Sequence, residues 1–337
     1  MNATMSLDHT KHYPVMLNQV LSIISPQHGG TFIDCTFGGG GYSEAILNFP
    51  ETKVFAIDRD SLTKQKADLL SKKFPKRFNF FQEKFSNLGQ IIQKDLNPKA
   101  IIFDLGLSLY QILDQKRGFS FESKNFLNME MGINEHSAYD VINNLDKKYL
   151  AKIIKVLGED KDGKIIANKI DKHRSIKPIK SSKELSDIIH GAKKKYKNFK
   201  KNPSTKTFQA IRIFVNKELT ELILALIEAT KLLSNGGLLV VVSFHSLEDK
   251  IVKNFFNIYS NFAKNPSRYL PTKENKPILF KKISKKPNIA DTKELRENIN
   301  SRSAKLRYAI RNNNSFFNSH EFKNKFINYL ELEGGAI

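Results

Sequence analysis

The chain has one cysteine, Cys35, and no tryptophan among its 337 residues. A lone cysteine cannot form an internal disulfide, which excludes a disulfide-stapled fold and fits a reducing compartment. No run of 18 apolar residues is present, so the sequence predicts no membrane span. Residues 1–11 are polar and lack the apolar stretch of a secretory signal. We therefore expect a cytoplasmic protein.

Acidic residues are scarce relative to basic ones. The chain has 55 lysines and arginines against 34 aspartates and glutamates, a formal net charge of +21. Such an excess favours a polyanionic partner, most simply nucleic acid. Lysine greatly outnumbers arginine, so a low-GC genome is an alternative source of part of the bias. The length suggests one large domain or two smaller ones.

The phosphate-binding pattern G-x-x-x-x-G-K-[ST] is also absent, but another glycine-rich turn is present. The apolar run Thr31–Asp34 leads to four consecutive glycines, Gly38–Gly41, and then to the apolar-periodic segment Ala45–Leu47. This pattern predicts a strand, a turn and a helix N-terminus, where glycine lets a ligand approach the main chain. The alternative is an ordinary tight connection between a strand and a helix.

Three predicted strands end in aspartate. Strands are expected to end at Asp34, Asp58 and Asp104, and another spans 78–82, with helical patterns between them. This alternation predicts a parallel, doubly wound α/β sheet. Ligands of such sheets bind beyond the carboxyl ends of the strands, so the three carboxylates should converge. Each aspartate could instead be a helix cap or a turn residue.

The alternation breaks after residue 109. Residues 110–205 show helical patterns only, and a single long helix is predicted over about 206–233, before a buried strand at 238–244. We predict a first part of the sheet domain over 1–109, an inserted helical substrate domain over 110–205, and the second part over 206–311. Residues 312–337 are predicted to be a peripheral tail.

A glycine turn followed by an acid at the end of the second strand suits a cofactor that contains adenosine. A dinucleotide would place its pyrophosphate on the helix N-terminus, whereas S-adenosylmethionine presents a sulfonium cation. Asp34 beside the glycines favours the cation, and Ser43 breaks the G-x-G-x-x-G pattern at its sixth position. An NAD-dependent oxidoreductase is the alternative.

Several further short motifs are spread over about 300 residues. They are HYPV at 12–15, DCTFGGGGYS at 34–43, AIDRD at 56–60, DLG at 104–106, RGFSF at 117–121, TKTFQAIRI at 205–213, VNKEL at 215–219, SFHSLED at 243–249 and SRSAKLR at 301–307. With these motifs the chain resembles the bacterial 16S ribosomal RNA cytosine-N4-methyltransferase family of the MraW type.

The resemblance implies a class I, Rossmann-like methyltransferase sheet with an inserted all-helical domain. It implies S-adenosylmethionine as the donor and a cytosine in the decoding region of 16S rRNA, in the small ribosomal subunit, as the acceptor. Neither a metal nor a membrane is expected. The implied cofactor-binding residues are Gly39, Gly40, Gly41, Tyr42, Asp58, Phe85, Asp104 and Gln111. The family usually has histidine at position 42, and this chain also departs from it at Leu109, Tyr110, Asn128 and Glu130.

Candidate catalytic residues are Asp104, which could orient the cytosine amine, and Ser108 and His245 near the same sheet edge. The alternative for His245 is a structural hydrogen bond at a helix start. Candidate RNA contacts are Lys194, Lys195, Lys206, Arg212 and Arg302. The rival to an enzyme is a catalytically weak RNA-binding factor in ribosome assembly.

Overall fold

The computed structural model describes residues 14–193, 202–260 and 277–335. Lys194 and Lys195 lie outside these residues, as do His12 and Tyr13 of the first motif. The described residues form two compact units. The first unit is drawn from 1–82, 89–106 and 229–316, and the second from 83–88, 107–228 and 317–337.

The first unit contains one seven-stranded sheet. Its strands are β1 (Gly30–Asp34), β2 (Thr52–Asp58), β3 (Phe78–Gln82), β4 (Ala100–Asp104), β5 (Leu238–Ser243), β6 (Phe280–Ile283) and β7 (Lys305–Arg311). The order is β3-β2-β1-β4-β5-β7-β6, with the first five strands parallel and β7 antiparallel to both β5 and β6. The predicted doubly wound α/β sheet is confirmed, and the segment after 278 completes it as an antiparallel pair.

Fifteen α-helices are described. They are α1 (Leu17–Ile24), α2 (Gly41–Leu47), α3 (Lys64–Lys73), α4 (Leu88–Ile91), α5 (Leu109–Leu113), α6 (Ala138–Asn144), α7 (Lys147–Leu157), α8 (Gly163–Arg174), α9 (Ser182–Ala192), α10 (Thr205–Asn216), α11 (Glu218–Leu232), α12 (Ser246–Ser260), α13 (Thr292–Glu297), α14 (His320–Lys325) and α15 (Ile327–Glu333). Short 3-10 turns lie at Pro26–His28, Ser61–Thr63, Phe85–Asn87, Lys94–Leu96, Gln115–Arg117 and Ile299–Ser303. No described helix is long and apolar enough to cross a bilayer.

The core of the first unit lies along the sheet. Phe32, Val54, Ile102 and Val240 come from four adjacent strands and belong to one buried cluster. Continuous apolar runs such as β5 are expected where helices cover both faces of a parallel sheet. Cys35, directly after β1, is buried.

Only helices and turns, with one isolated bridge between Phe126 and Ser181, make up the described residues of 110–205. Helix α7 buries its apolar positions Leu150, Ile153, Ile154 and Leu157, which recur at helical spacing. These residues belong to the second unit, which also contains α10 and residues 317–335. The segment predicted to be a peripheral tail therefore forms α14 and α15 of this unit.

The prediction of one long helix over 206–233 was wrong. The helix ends at Asn216, Lys217 adopts a left-handed conformation with φ of 50°, and α11 begins at Glu218. The buried Glu333 carboxylate accepts hydrogen bonds from the Leu219 and Thr220 N–H groups at 3.2 and 2.7 Å, which caps the new helix start. This partner lies more than 110 residues away, so local periodicity could not reveal the break.

Ser86 lies inside the 3-10 turn Phe85–Asn87 and does not begin a helix. At α12 the capping carboxylate is Glu248, which accepts hydrogen bonds from the Phe244 and His245 N–H groups at 2.8 and 3.2 Å. Asp249, in the first turn of α12, accepts hydrogen bonds from the Arg307 and Lys305 side chains of β7.

Candidate active site

Three aspartates end three adjacent strands of the first unit. Asp34 ends β1, Asp58 ends β2 and Asp104 ends β4, and β1 lies between the other two in the sheet. Asp34 is in register with Ala56 of β2 and Ile102 of β4. Each of the other two aspartates is therefore two residues further along its strand. The sequence prediction that these carboxylates share one sheet edge is confirmed.

Asp34 is fully buried and accepts hydrogen bonds from Ser43 and Thr36. Ser43 Oγ donates to one carboxylate oxygen at 2.7 Å, and the Thr36 N–H donates to the other at 3.2 Å. Burial nevertheless raises the pKa of Asp34 to about 6, against these hydrogen bonds, which lower it. Asp34 thus ties the turn after β1 to the start of α2 and ionises only near neutral pH.

Asp58 fastens the glycine loop. Its carboxylate accepts hydrogen bonds from the Gly38 N–H at 2.7 Å and from the Asp60 N–H at 2.8 Å. Burial, with smaller contributions from the nearby Asp60 and Asp34 carboxylates, raises its pKa to about 6, against the two backbone hydrogen bonds, which lower it. Asp58 therefore accepts a main-chain hydrogen bond from the glycine loop, while two other carboxylates lie nearby.

Asp104 has the least compensated carboxyl of the three. Its Oδ1 atom is buried and has no hydrogen-bond partner in the described part of the chain. Its main chain is held, because the Asp104 N–H donates to Thr36 Oγ1 at 2.7 Å. Burial raises the pKa of Asp104 well above its usual value, and the Asp34 and Glu248 carboxylates add to the shift. A buried acceptor without a donor invites one from a ligand.

The glycine loop is tightly packed. Gly38 and Gly40 have φ of 50° and 78°, and a Cβ at Gly40 would lie 2.9 Å from the Phe37 ring. A Cβ at Gly41 would lie 2.2 Å from Pro14 Cγ. Side chains are excluded at these two positions by backbone conformation or by space. Gly39, between Gly38 and Gly40, is partly exposed.

Tyr42, which follows the loop, is buried, and its hydroxyl donates to the Val15 carbonyl oxygen. Burial raises its pKa well above 10, with further increases from Asp104, Asp34 and Glu294. The phenol is therefore neutral at physiological pH. It joins the loop to the segment before α1 and lies within the field of the aspartates.

His245 begins α12 in the manner of a cap. Its carbonyl accepts from the Asp249 N–H at 3.2 Å, and its Nε2 lies 3.1 Å from Glu248 Oε1. Glu248 is buried, and its charge acts on Asp104. The structural role foreseen as the alternative for His245 is thus present.

Ser108, Gln111 and Phe85 belong to the second unit. Ser108 Oγ accepts from the Gln111 N–H at 3.3 Å, and Gln111 Oε1 accepts from the Ser108 N–H at 3.0 Å. This reciprocal pair is a capping box at the start of α5. Phe85 starts a 3-10 turn and is half-buried. The serine and the glutamine therefore have a local structural task in this unit.

The described RNA-contact candidates differ in their surroundings. The Arg212 guanidinium forms a bidentate pair with Glu218, with distances of 2.7 and 2.8 Å. Lys206 Nζ donates to the Glu159 carbonyl oxygen at 2.8 Å. Arg302, in the first unit, is exposed. The pairing of Arg212 neutralises the cation that was expected to meet a phosphate.

Asn128 and Glu130, where the chain departs from the family pattern, compensate each other. Asn128 Nδ2 donates to Glu130 Oε2 at 2.6 Å, and the Glu130 N–H donates to Asn128 Oδ1 at 2.7 Å. Arg117 donates to the Glu130 carbonyl oxygen at 2.6 Å. The two exchanged residues thus form one local hydrogen-bonded turn.

Sequence reasoning missed several residues that shape the aspartate edge. Thr36 and Ser43 hold Asp104 and Asp34, and both stand within the glycine-loop motif, so their position was the available signal. Glu248 stands in the SFHSLED motif. Glu294 had no local signal, because its partners Met16 and Gln19 lie more than 270 residues away.

A sheet of this order with an antiparallel β7, a glycine loop after β1 and acids at the ends of β1, β2 and β4 define a class I methyltransferase fold. The chain belongs to the MraW methylase family, whose model matches residues 9–312.

Named relatives agree with this family. The "Ribosomal RNA small subunit methyltransferase H" of Parvibaculum lavamentivorans is 38% identical over 302 residues, 89% of each chain. The proteins of the same name from Bartonella bacilliformis and Afipia carboxidovorans are 40% and 39% identical, covering 89% and 96% of this chain and 90% and 96% of their own. A solved rRNA methylase from Streptococcus thermophilus is 12% identical with a TM-score of 0.35 over 87% of this chain and 96% of its own, and adds nothing to the assignment.

Proposed function

We propose that the protein methylates N4 of a cytosine in the decoding region of 16S rRNA, with S-adenosylmethionine as donor. The observation that carries the proposal is the carboxylate edge of a chain in the MraW methylase family, with Asp104 Oδ1 buried and without a hydrogen-bond partner among the described residues. The relatives' names specify small-subunit rRNA, and the resemblance of the motifs implies the cytosine and its position. Such a reaction belongs in the cytoplasm and calls for no metal and no membrane.

The donor set suits a cation better than an anion. Burial raises the pKa of Asp34, Asp58 and Asp104, and the Asp34 carboxylate raises it further for the other two. A bound positive charge would favour their ionised forms, whereas a pyrophosphate would add to the repulsion. S-adenosylmethionine carries a sulfonium and an ammonium group, and an acid at the end of the second strand suits its ribose hydroxyls. This argues against the NAD-dependent alternative.

Individual residues would then take distinct parts. Asp58 would hold the ribose of the donor. The donor would also contact the loop residues Gly39, Gly40 and Gly41 and the adjacent Tyr42. When bound, S-adenosylmethionine supplies an activated methyl group. Phe85 and Gln111 remain proposed donor contacts, and Ser108 and His245 proposed secondary groups around the acceptor.

Asp104 would orient the cytosine amine. Its buried Oδ1 can accept a hydrogen bond from an N4 proton. This bond would increase the electron density on the nitrogen and orient its lone pair toward the methyl group of the donor. The raised pKa lets the carboxyl take up a proton after transfer. Most of the rate gain would come from positioning and electrostatics, since the methylated amine loses its proton readily. The target base must be single-stranded or flipped out to be reached.

The direct test is methyl transfer to rRNA. Purified protein is incubated with methyl-labelled S-adenosylmethionine and either naked 16S rRNA or small ribosomal subunits, and the RNA is digested to nucleosides. We expect label in N4-methylcytosine with at least one of the two substrates. Donor binding and RNA binding without any N4-methylcytosine would favour an RNA-binding assembly factor instead.

Donor affinity should depend on pH. Asp34 and Asp58, each with a pKa of about 6 in the unliganded protein, are ionised at pH 8 and mostly protonated at pH 5. Binding of a cationic donor should therefore weaken about tenfold per acid between pH 8 and pH 5. Calorimetric titration at several pH values measures the change.

The stability of the unliganded protein should fall as pH rises, whereas donor affinity should increase. The contribution of acids with raised pKa is present below their usual pKa of 3.8 and lost as pH rises through about 6. Because the donor binds more tightly at pH 8, the rise in Tm on adding donor should be larger at pH 8 than at pH 5. An equal donor affinity at both pH values would contradict an ionised carboxylate edge.

A further inference from the structure

A groove in the second unit offers a separate basic surface. It has a volume of about 570 Å³ and is lined by Lys124, Lys169, His173 and Lys177, among others. All four side chains are exposed, and none has an ion-pair partner in the described ranges. Glu184 and Asp187 also line it, but the Lys183 ammonium pairs with Asp187. Positive charge therefore prevails on the groove wall.

Local packing fixes where these cations stand. The Leu127 N–H donates to the Lys180 carbonyl and the Lys183 N–H to the Ser123 carbonyl, both at 2.9 Å. The segment that carries Lys124 is thus held along the start of α9. Lys169 and His173 extend from α8, one turn apart. Cations from three chain segments therefore face one concavity rather than being scattered over a helix.

An exposed aromatic ring lies beside the groove. Phe126 forms the isolated bridge with Ser181, a residue of the groove wall, and is 49% exposed. Its ring packs on Tyr139 with centroids 5.2 Å apart, which supports one side of it. A basic groove with an aromatic platform is the combination by which proteins hold single-stranded nucleic acid.

We propose that this groove binds a single-stranded stretch of the rRNA substrate, with phosphates at Lys124, Lys169 and Lys177 and a base stacked on Phe126. The inference rests on the proposed function for the identity of the RNA. The charge excess and the aromatic rim favour RNA over an acidic protein surface. The groove would hold the RNA at a distance from the reacting base and contribute affinity rather than chemistry.

The test uses the triple variant Lys124→Gln/Lys169→Gln/Lys177→Gln and a labelled 16S rRNA transcript. Binding is measured by anisotropy across a series of KCl concentrations. We expect affinity to fall about 10- to 100-fold and the slope of log K against log salt to decrease by about 2, since each lost phosphate contact removes about 0.7. Phe126→Ala should weaken binding about 5- to 100-fold.

The matched control is Lys148→Gln/Lys152→Gln/Lys155→Gln, three exposed lysines of α7 with the same charge change. It should change affinity less than threefold. Unchanged donor affinity and far-UV circular dichroism exclude misfolding of the groove variants, and Phe126→Tyr should retain binding.

If the groove variants bind the transcript as the wild type does, the proposal is overturned, whether or not N4-methylcytosine forms. A loss confined to assembled subunits would also overturn it, in favour of a ribosomal-protein contact. If the wild type binds but makes no N4-methylcytosine, the proposed function fails while the groove assignment stands.

Discussion

Asp104→Asn should lower methyl transfer by about 10²- to 10³-fold, the loss typical of removing one preorganised electrostatic group. The amide has nearly the shape of the carboxyl, so the packing around Oδ1 is kept. It lacks the negative charge and the proton affinity that the cytosine amine would use. Single-turnover methyl transfer at saturating donor measures the effect.

The same substitution should stabilise the unliganded protein at high pH. Burial and the charges of Asp34 and Glu248 raise the pKa of Asp104 in the folded state. The free energy of unfolding of the wild type therefore falls as pH rises from the usual pKa of an aspartate to this raised pKa. The asparagine variant does not incur this loss. Its Tm should therefore exceed that of the wild type, and the difference should grow with pH.

The control for Asp104 is Asp68→Asn, an exposed acid of α3 with the same charge change. It should alter neither methyl transfer nor the pH dependence of Tm. Full methyl transfer by Asp104→Asn would show that the amine is oriented by another group, with Ser108 and His245 the next to substitute.

Asn216→Ala should destabilise the second unit by about 2–4 kcal/mol. The buried amide donates to the Met129 and Arg212 carbonyls, both at 2.8 Å, and accepts from the Met131 N–H at 2.9 Å. Alanine would leave the Met129 carbonyl and the Met131 N–H buried without this partner, and each such group costs about 1–3 kcal/mol. The cost is therefore larger than that of losing one average hydrogen bond.

Urea unfolding followed by far-UV circular dichroism measures this loss, since the chain has no tryptophan to report on it. Asn144→Ala, an exposed asparagine at the end of α6, should change the free energy of unfolding by less than about 0.5 kcal/mol. A midpoint for Asn216→Ala equal to that of the wild type would refute the anchoring role of the amide.

Much of the first unit could be predicted from the sequence because its signals are local. Apolar runs of four to seven residues predicted β1 to β5, and the aspartate at the end of each of three strands followed from the pattern. Adjacent strands in a parallel sheet bring such residues to one edge, so the carboxylate edge followed as well. The antiparallel β6–β7 pair was less clear, since only weak apolar content marks β6.

The second unit could be predicted only in kind. Helical periodicity indicated α7 and α9, but the break at Lys217 depends on Asn216 bonding to Met129 and on Glu333 capping α11. The capping box likewise engages Ser108, a candidate from its predicted place near the sheet edge, and Gln111, a candidate from the family resemblance. Pairing with Glu218 does the same for Arg212. A residue type does not reveal which partner it will meet.

The sequence by itself determined the α/β class, the glycine loop, the three acids and the family, because each is written in contiguous residues. Only the tertiary structure decided which buried carboxylate oxygen has no hydrogen-bond partner among the described residues, which cations are neutralised and which surround a groove. Those properties arise from contacts between distant segments. Asp104 owes its raised pKa to burial beside Asp34 and Glu248, and Glu248 stands 144 positions further along the chain.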